Sequence, residues 1–143
     1  MKEVKIYIET SLTGPAVKKG RYGALVEFIK ASGEPVTREI YGEEEETTYY
    51  RSTLLAMVKA MKLLKAPCKI LIYTYCTFIK GMVEGGNLEA WHRAEWKKAS
   101  GEEVQNKELW QEFLELAGVH EIEFRYSKHH EYRNYLKGKV IGC

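Results

Sequence analysis

Residues 69–81 read Lys-Ile-Leu-Ile-Tyr-Thr-Tyr-Cys-Thr-Phe-Ile-Lys-Gly, and this stretch decides the fold. Ile70, Leu71, Ile72 and Tyr73 form an unbroken apolar run, bounded by Lys69 on one side and by the polar Thr74 and Cys76 on the other. A short run without alternation predicts a strand covered on both faces. Phe78, Ile79 and Met82 then recur at three-to-four spacing, which predicts a helix. A strand passing directly into a helix is the central unit of an open α/β sheet, and such sheets place ligands beyond the carboxyl ends of their strands. Tyr75 stands at that end. An enzyme handling phosphates there often carries a carboxylate to hold a metal. This chain offers a phenol.

Upstream, Val4 to Thr10 alternates, with Val4, Ile6 and Ile8 on one face and Glu9 near the end; this predicts a strand. Gly14-Pro15 marks a loop over residues 11–20. Arg21 to Lys30 predicts a second strand, Ala31 to Pro35 a hairpin connection and Val36 to Tyr41 a third strand. Glu43 to Glu46 is a run of four glutamates. Its plainest reading is a complement to the positive end of the helix that follows. Thr47 or Thr48 caps that helix, whose apolar face is Leu54, Met57, Val58, Met61 and Leu64 and which Pro67 ends.

Downstream, Gly85-Gly86 breaks the helix begun at Phe78. Leu88 to Lys98 reads as a short helix, Asn106 to Ala117 as a longer one with Leu109, Phe113 and Leu116 on one side, stopped by Gly118. His120 to Ser127 alternates Ile122, Phe124 and Tyr126 against Glu121, Glu123 and Arg125, a last strand. The tail from Lys128 is basic, and its first part reads as helical. The predicted order is β-β-β-α-β-α-α-α-β-α. It implies an α/β domain over residues 1–143 with a mixed five-stranded sheet, three antiparallel strands and then parallel ones, flanked by helices.

The totals narrow the function. The net charge of +2 is too small to argue for nucleic acid by itself. No apolar stretch reaches the roughly 18 residues of a membrane span, and the start Met-Lys-Glu-Val lacks a signal peptide's apolar core. Cys68, Cys76 and Cys143 have no Cys-x-x-Cys spacing, which fits a reducing cytoplasm. His92, His120, His129 and His130 match no common zinc spacing. Cys76 starts a helix, yet no base is near it in sequence, so a buried, inert thiol is expected. All 20 acidic residues are glutamate.

The element order, with local matches along nearly the whole chain, resembles the type 1 ribonuclease H family. Lys5-Ile-Tyr-Ile-Glu-Thr-Ser11 resembles the first strand, ending in Thr-Asp-Gly-Ser, and Arg21-Tyr-Gly-Ala24 resembles Gly-Tyr-Gly-Ala in the second. Thr47-Thr-Tyr-Tyr-Arg-Ser-Thr-Leu-Leu-Ala56 resembles Thr-Thr-Asn-Asn-Arg-x-Glu-Leu-x-Ala, and Ile72-Tyr-Thr-Tyr-Cys76 resembles the strand ending Thr-Asp-Ser. Trp91 to Lys98 is similar to the family's basic substrate-binding segment, Asn106-x-x-Leu109-Trp110-Gln111 to the helix after it, and Lys128-His-His130 to its Lys-Gly-His.

The resemblance implies an RNA–DNA hybrid nuclease using two Mg²⁺ ions gripped by four carboxylates. Carried onto this chain, those positions are Glu9, Thr53, Tyr75 and, at Asn134 or slightly beyond, a residue in the tail; no side-chain carboxylate follows Glu131. His130 matches the family's mobile histidine. One clear carboxylate cannot offset the repulsion of two divalent ions. On the residues alone, Glu9 reads as a solvated strand end and His130 as a surface histidine. No metal is therefore expected, and catalysis is expected to be lost. Mg²⁺ enters only on the alternative of a rebuilt active site.

Nucleic-acid binding needs phosphate contacts and stacking surfaces rather than metal. The expected binding residues are Thr48, which matches a phosphate-contacting threonine, together with Tyr49, Tyr50, Trp91, Arg93, Trp96, Lys97, Lys98 and Lys128. Arg125, Arg133, Lys137 and Lys139 extend a basic tail. Tyr49 and Tyr50 replace the family's paired asparagines, and Thr10 replaces a glycine. The expected partner is thus an RNA–DNA hybrid or a single strand, with a protein partner on the same fold as the alternative, and no membrane.

Overall fold

The computed structural model describes residues 1–141. Residues 142–143 of the expected 1–143 domain, and with them Cys143, lie outside the described residues. The elements are β1 (Lys2–Thr10), β2 (Lys18–Ile29), β3 (Pro35–Thr47), α1 (Tyr49–Met61), β4 (Cys68–Thr74), α2 (Thr77–Glu84), α3 (Asn87–Arg93), α4 (Lys107–Ala117), β5 (Glu121–Tyr126) and α5 (Arg133–Ile141). They follow the predicted order. The five strands form one sheet in the order β3-β2-β1-β4-β5. β1 pairs antiparallel with β2 and parallel with β4, and β5 runs parallel to β4.

The unbroken run of β4 lies next to β1 in the middle of the sheet, and Ile70, Leu71 and Ile72 are all buried. On one face Ile6, Ile8, Ile70 and Ile72 pack against Leu54, Met57, Val58 and Met61 of α1. On the other, Tyr7 and Leu25 pack against Leu136 of α5. Alternation along β1 therefore sends Ile8 toward α1 and Glu9, beside Tyr7, toward α5.

Several local expectations are corrected. Glu43 to Glu46 belong to β3, an edge strand that runs on to Thr47, and α1 has no acidic residue in its first turn. The run is held by cations of β2 and of α1 instead. Glu43 lies 3.1 Å from Arg21 and 3.7 Å from Lys19, and Glu44 receives the Arg51 guanidinium at 3.0 Å. The cap is Thr48: its backbone is extended and its hydroxyl oxygen accepts from the Arg51 N–H at 3.2 Å. Thr48→Ala is expected to lower stability by about 1 kcal/mol, read as a shift in the urea midpoint at unchanged slope.

α1 stops at Met61, well before Pro67, and Leu64 sits in the following turn, where its N–H bonds Met61 O. α3 is also shorter than its pattern and ends at Arg93. Glu95 and Trp96 adopt positive φ, which turns the chain back so that Lys97 pairs with Glu103. Gly118 ends α4 as expected, in a right-handed conformation.

The tail is helical in its later part, Arg133–Ile141, because Leu136 and Val140, one turn apart, are both buried beneath it. Among the described residues, no helix is long and apolar enough to cross a membrane.

Candidate functional site

A pocket of about 370 Å³ opens beyond the carboxyl ends of β1 and β4. The loop after β1, the first turns of α1 and the helix α5 close its sides. Three of the four positions carried over from the family, Glu9, Thr53 and Tyr75, line it.

Glu9 is 8% exposed, not solvated, and His130 is 7% exposed, not a surface residue. The two touch: His130 Nε2 lies 2.7 Å from Glu9 Oε2. The Tyr132 backbone N–H donates to His130 Nδ1 at 3.2 Å. Nδ1 is thus an acceptor, and in the neutral ring the proton sits on Nε2 and is donated to Glu9. Lys137 Nζ lies 3.4 Å from the other carboxylate oxygen and donates to Thr10 O at 2.8 Å. The carboxylate is thus closed by an ammonium and an imidazole.

The other positions bring no anionic oxygen. Thr53 is buried and its hydroxyl donates to Tyr49 O at 2.8 Å, one helical turn back. Tyr75 is exposed and its ring stacks on Tyr126 at 4.8 Å and 15°. Burial pushes the Tyr49 phenol further up, which keeps it neutral. Burial likewise pushes the Cys76 thiol up, outweighing the opposite pull of the Ile79 and Phe78 N–H groups. Asn134 is exposed and outside the pocket; its helix presents Arg133 and Lys137 there instead.

A second groove, of about 360 Å³, is lined by Thr48, Tyr50, Phe78, Trp91, Lys98 and Asn106 among others. Tyr50 and Phe78 lie 4.5 Å apart, ring centre to ring centre. Four of the expected binding residues therefore gather here, while Tyr49 and Lys128 line the first pocket. Trp96 is a correction: at 6% exposure it belongs to the core, because the positive-φ turn folds it inward, and it offers no face to a base. Arg93 and Lys97 are exposed but line neither cavity, and the glutamate run lines neither.

Sequence reasoning placed Lys137 only in a basic tail. The signal for its role was its spacing of four from Arg133, which puts both on one helix face once the tail is known to be helical. Phe78 and Tyr126 as ring partners had no sequence signal beyond their type.

The ribonuclease H family model matches residues 1–135. The chain belongs to the ribonuclease H family. The ribonuclease H resemblance read from its motifs agrees with its relatives. Ribonuclease H of Chlorobium chlorochromatii is 34% identical over 129 residues, covering 90% of this chain and 84% of that protein. Ribonuclease H of Caldicellulosiruptor saccharolyticus is 35% identical over 130 residues, covering 91% and 86%. Among solved structures, LC9-RNase H1, described as a type 1 RNase H with the type 2 active-site motif, superposes with a TM-score of 0.80 at 23% identity, over 99% of this chain and 71% of that one. A foamy viral protease-reverse transcriptase in complex with RNA/DNA hybrid gives 0.69 at 13% identity, over 98% of this chain and 19% of that one.

The ribonuclease H resemblance implies paired magnesium ions, and the donor set at this site does not fit them. Mg²⁺ is usually held by one or two carboxylates together with waters and substrate phosphates, and a pair of ions needs further anionic oxygens to offset their repulsion. Here one carboxylate is already ion-paired to Lys137 and hydrogen-bonded to His130, and the remaining side chains of the walls are hydroxyls, rings, cations and aliphatic groups. Among the described residues, no three His, Cys or Glu side chains group as a metal cluster.

Proposed function

We propose that this ribonuclease H relative binds nucleic acid, an RNA–DNA hybrid or a single strand, and does not cut it. One observation carries the reading: Lys137 is ion-paired and His130 hydrogen-bonded to Glu9, the sole carboxylate of the pocket among the described residues. A metal ion would have to displace a paired ammonium from a nearly dry site and would gain one carboxylate in return. The groove beside α2 supports binding, because Tyr50, Phe78 and Trp91 supply rings and Lys98 a charge, with the Thr48 cap at its edge. The cytoplasm belongs to the same proposal; Cys68 and Cys76 are both buried and free.

The test is affinity against salt for hybrid, duplex and single strand. Neutralisation of one phosphate by Lys98, with the exposed Arg93 and Lys97 close in sequence adding up to two more, predicts a log–log slope between about −0.7 and −2.7. A flat slope for all three removes the reading. The competing reading, a protein-interaction module, rests on the exposed rings of Tyr75, Phe78 and Tyr126. Flat salt dependence together with a partner lost on Tyr75→Ser would favour it.

A further inference from the structure

The pocket at the ends of β1 and β4 holds more positive charge than Glu9 can use. Lys128, Arg133 and Lys137 line it against that one carboxylate, an excess of two positive charges. Lys137 donates one hydrogen bond, to Thr10 O at 2.8 Å, and ion-pairs with Glu9 at 3.4 Å, so not all of its three N–H donors are committed. Among the described residues, neither Lys128 nor Arg133 forms an ion pair, and Lys128 Nζ merely lies 5.7 Å from the Tyr75 ring centre. Cations gathered around a concave site without carboxylate partners form an anion site.

The size of the excess selects the anion. An internal phosphodiester carries one negative charge, whereas a phosphate monoester carries about 1.5 to 2 near neutral pH. The monoester is the better match for two unbalanced cations. The cavity, about 370 Å³, falls in the range of roughly 300–1,000 Å³ usual for small-molecule sites. The stacked Tyr75 and Tyr126 stand at the same pocket and give a nucleobase an aromatic surface beside the phosphate.

We propose that this pocket binds the terminal phosphate monoester of a nucleotide, carried by a free nucleoside monophosphate or by the phosphorylated end of a strand. Arg133 and Lys128 grip the phosphate, Lys137 supplies an uncommitted donor, and the tyrosine pair meets the base. The strand-end form rests on the nucleic-acid binding proposed above; the free-nucleotide form does not.

The experiment uses the full chain and two arms. In the first, fluorescence anisotropy compares one single strand bearing a 5′-phosphate, a 3′-phosphate or hydroxyl ends only. A phosphorylated end is expected to bind about tenfold tighter, and Arg133→Gln with Lys128→Gln to remove that advantage while the hydroxyl-ended strand binds with a smaller change. In the second, adenosine monophosphate and adenosine are titrated separately into labelled protein, following the amide resonances of Thr10 and Lys137. Only the monophosphate is expected to shift them, and the double variant to abolish the response. Both arms positive means both sources are accepted; one arm positive assigns the source. Equal binding of all strands together with no response to the monophosphate overturns the pocket while leaving groove binding intact. If no strand binds at all, the earlier reading fails and the titration alone decides this one.

Discussion

Purified protein is expected to leave a labelled RNA–DNA hybrid uncut in Mg²⁺ or Mn²⁺, at a rate no higher than the protein-free control. The barrier to phosphodiester hydrolysis falls when metal ions activate water and stabilise the leaving oxygen. Here the one carboxylate that lines the pocket among the described residues is held by Lys137 at 3.4 Å and by His130 at 2.7 Å. The electrostatics can be inverted at one position. Lys137→Glu would set a second carboxylate beside Glu9 in a nearly dry site, so the variant should be less stable than the parent without metal. Mn²⁺ should then restore it, by about 2.7 kcal/mol when the ion exceeds its Kd a hundredfold, a rise of at least about 5 °C in Tm. The parent Tm should not respond. Metal-dependent cleavage by clean parent protein, abolished by Glu9→Gln, would establish a rebuilt active site and overturn this account.

Leu136→Ala is expected to cost about 3 kcal/mol, within the usual range of roughly 2–5 for a buried leucine. Leu136 is 0% exposed and is the apolar plug between α5 and the Tyr7–Leu25 face of the sheet. Its neighbour Asn134 is exposed, and Asn134→Ala should stay within about 0.5 kcal/mol of the parent. Urea unfolding of the two variants gives the comparison. The loss should reach function as well, because α5 also carries Arg133 and Lys137. Equal stability of the two variants would mean that α5 is not docked as described.

Much of the architecture was legible because period and burial agree. The run Ile70 to Tyr73 suggested an inner strand, and the alternation of β1 and the helical stripe of α1 left few ways to cover it. The misreadings share a cause: the deciding partner is distant in the chain. Glu43 to Glu46 looked like a helix-end complement because the cations that hold three of them are Lys19, Arg21 and Arg51. Trp96 looked like part of an exposed basic helix because nothing local shows the positive-φ turn that buries it. The tail was read helical at the wrong end because its two apolar residues, Leu136 and Val140, acquire meaning only against the sheet.

By itself the sequence determined which residue types stand at three of the carried-over site positions: one glutamate, a threonine and a tyrosine, with no aspartate anywhere in the chain. It also determined the order of elements, since periodicity is a local property. Only the tertiary structure decided what became of that glutamate. Lys137 and His130 lie more than a hundred residues from Glu9 in sequence. They reach it because α5 packs on the face of β1 toward which residue 9 points. Charge acts through space and follows no sequence period, so only the packing could reveal that the site's anion is already neutralised.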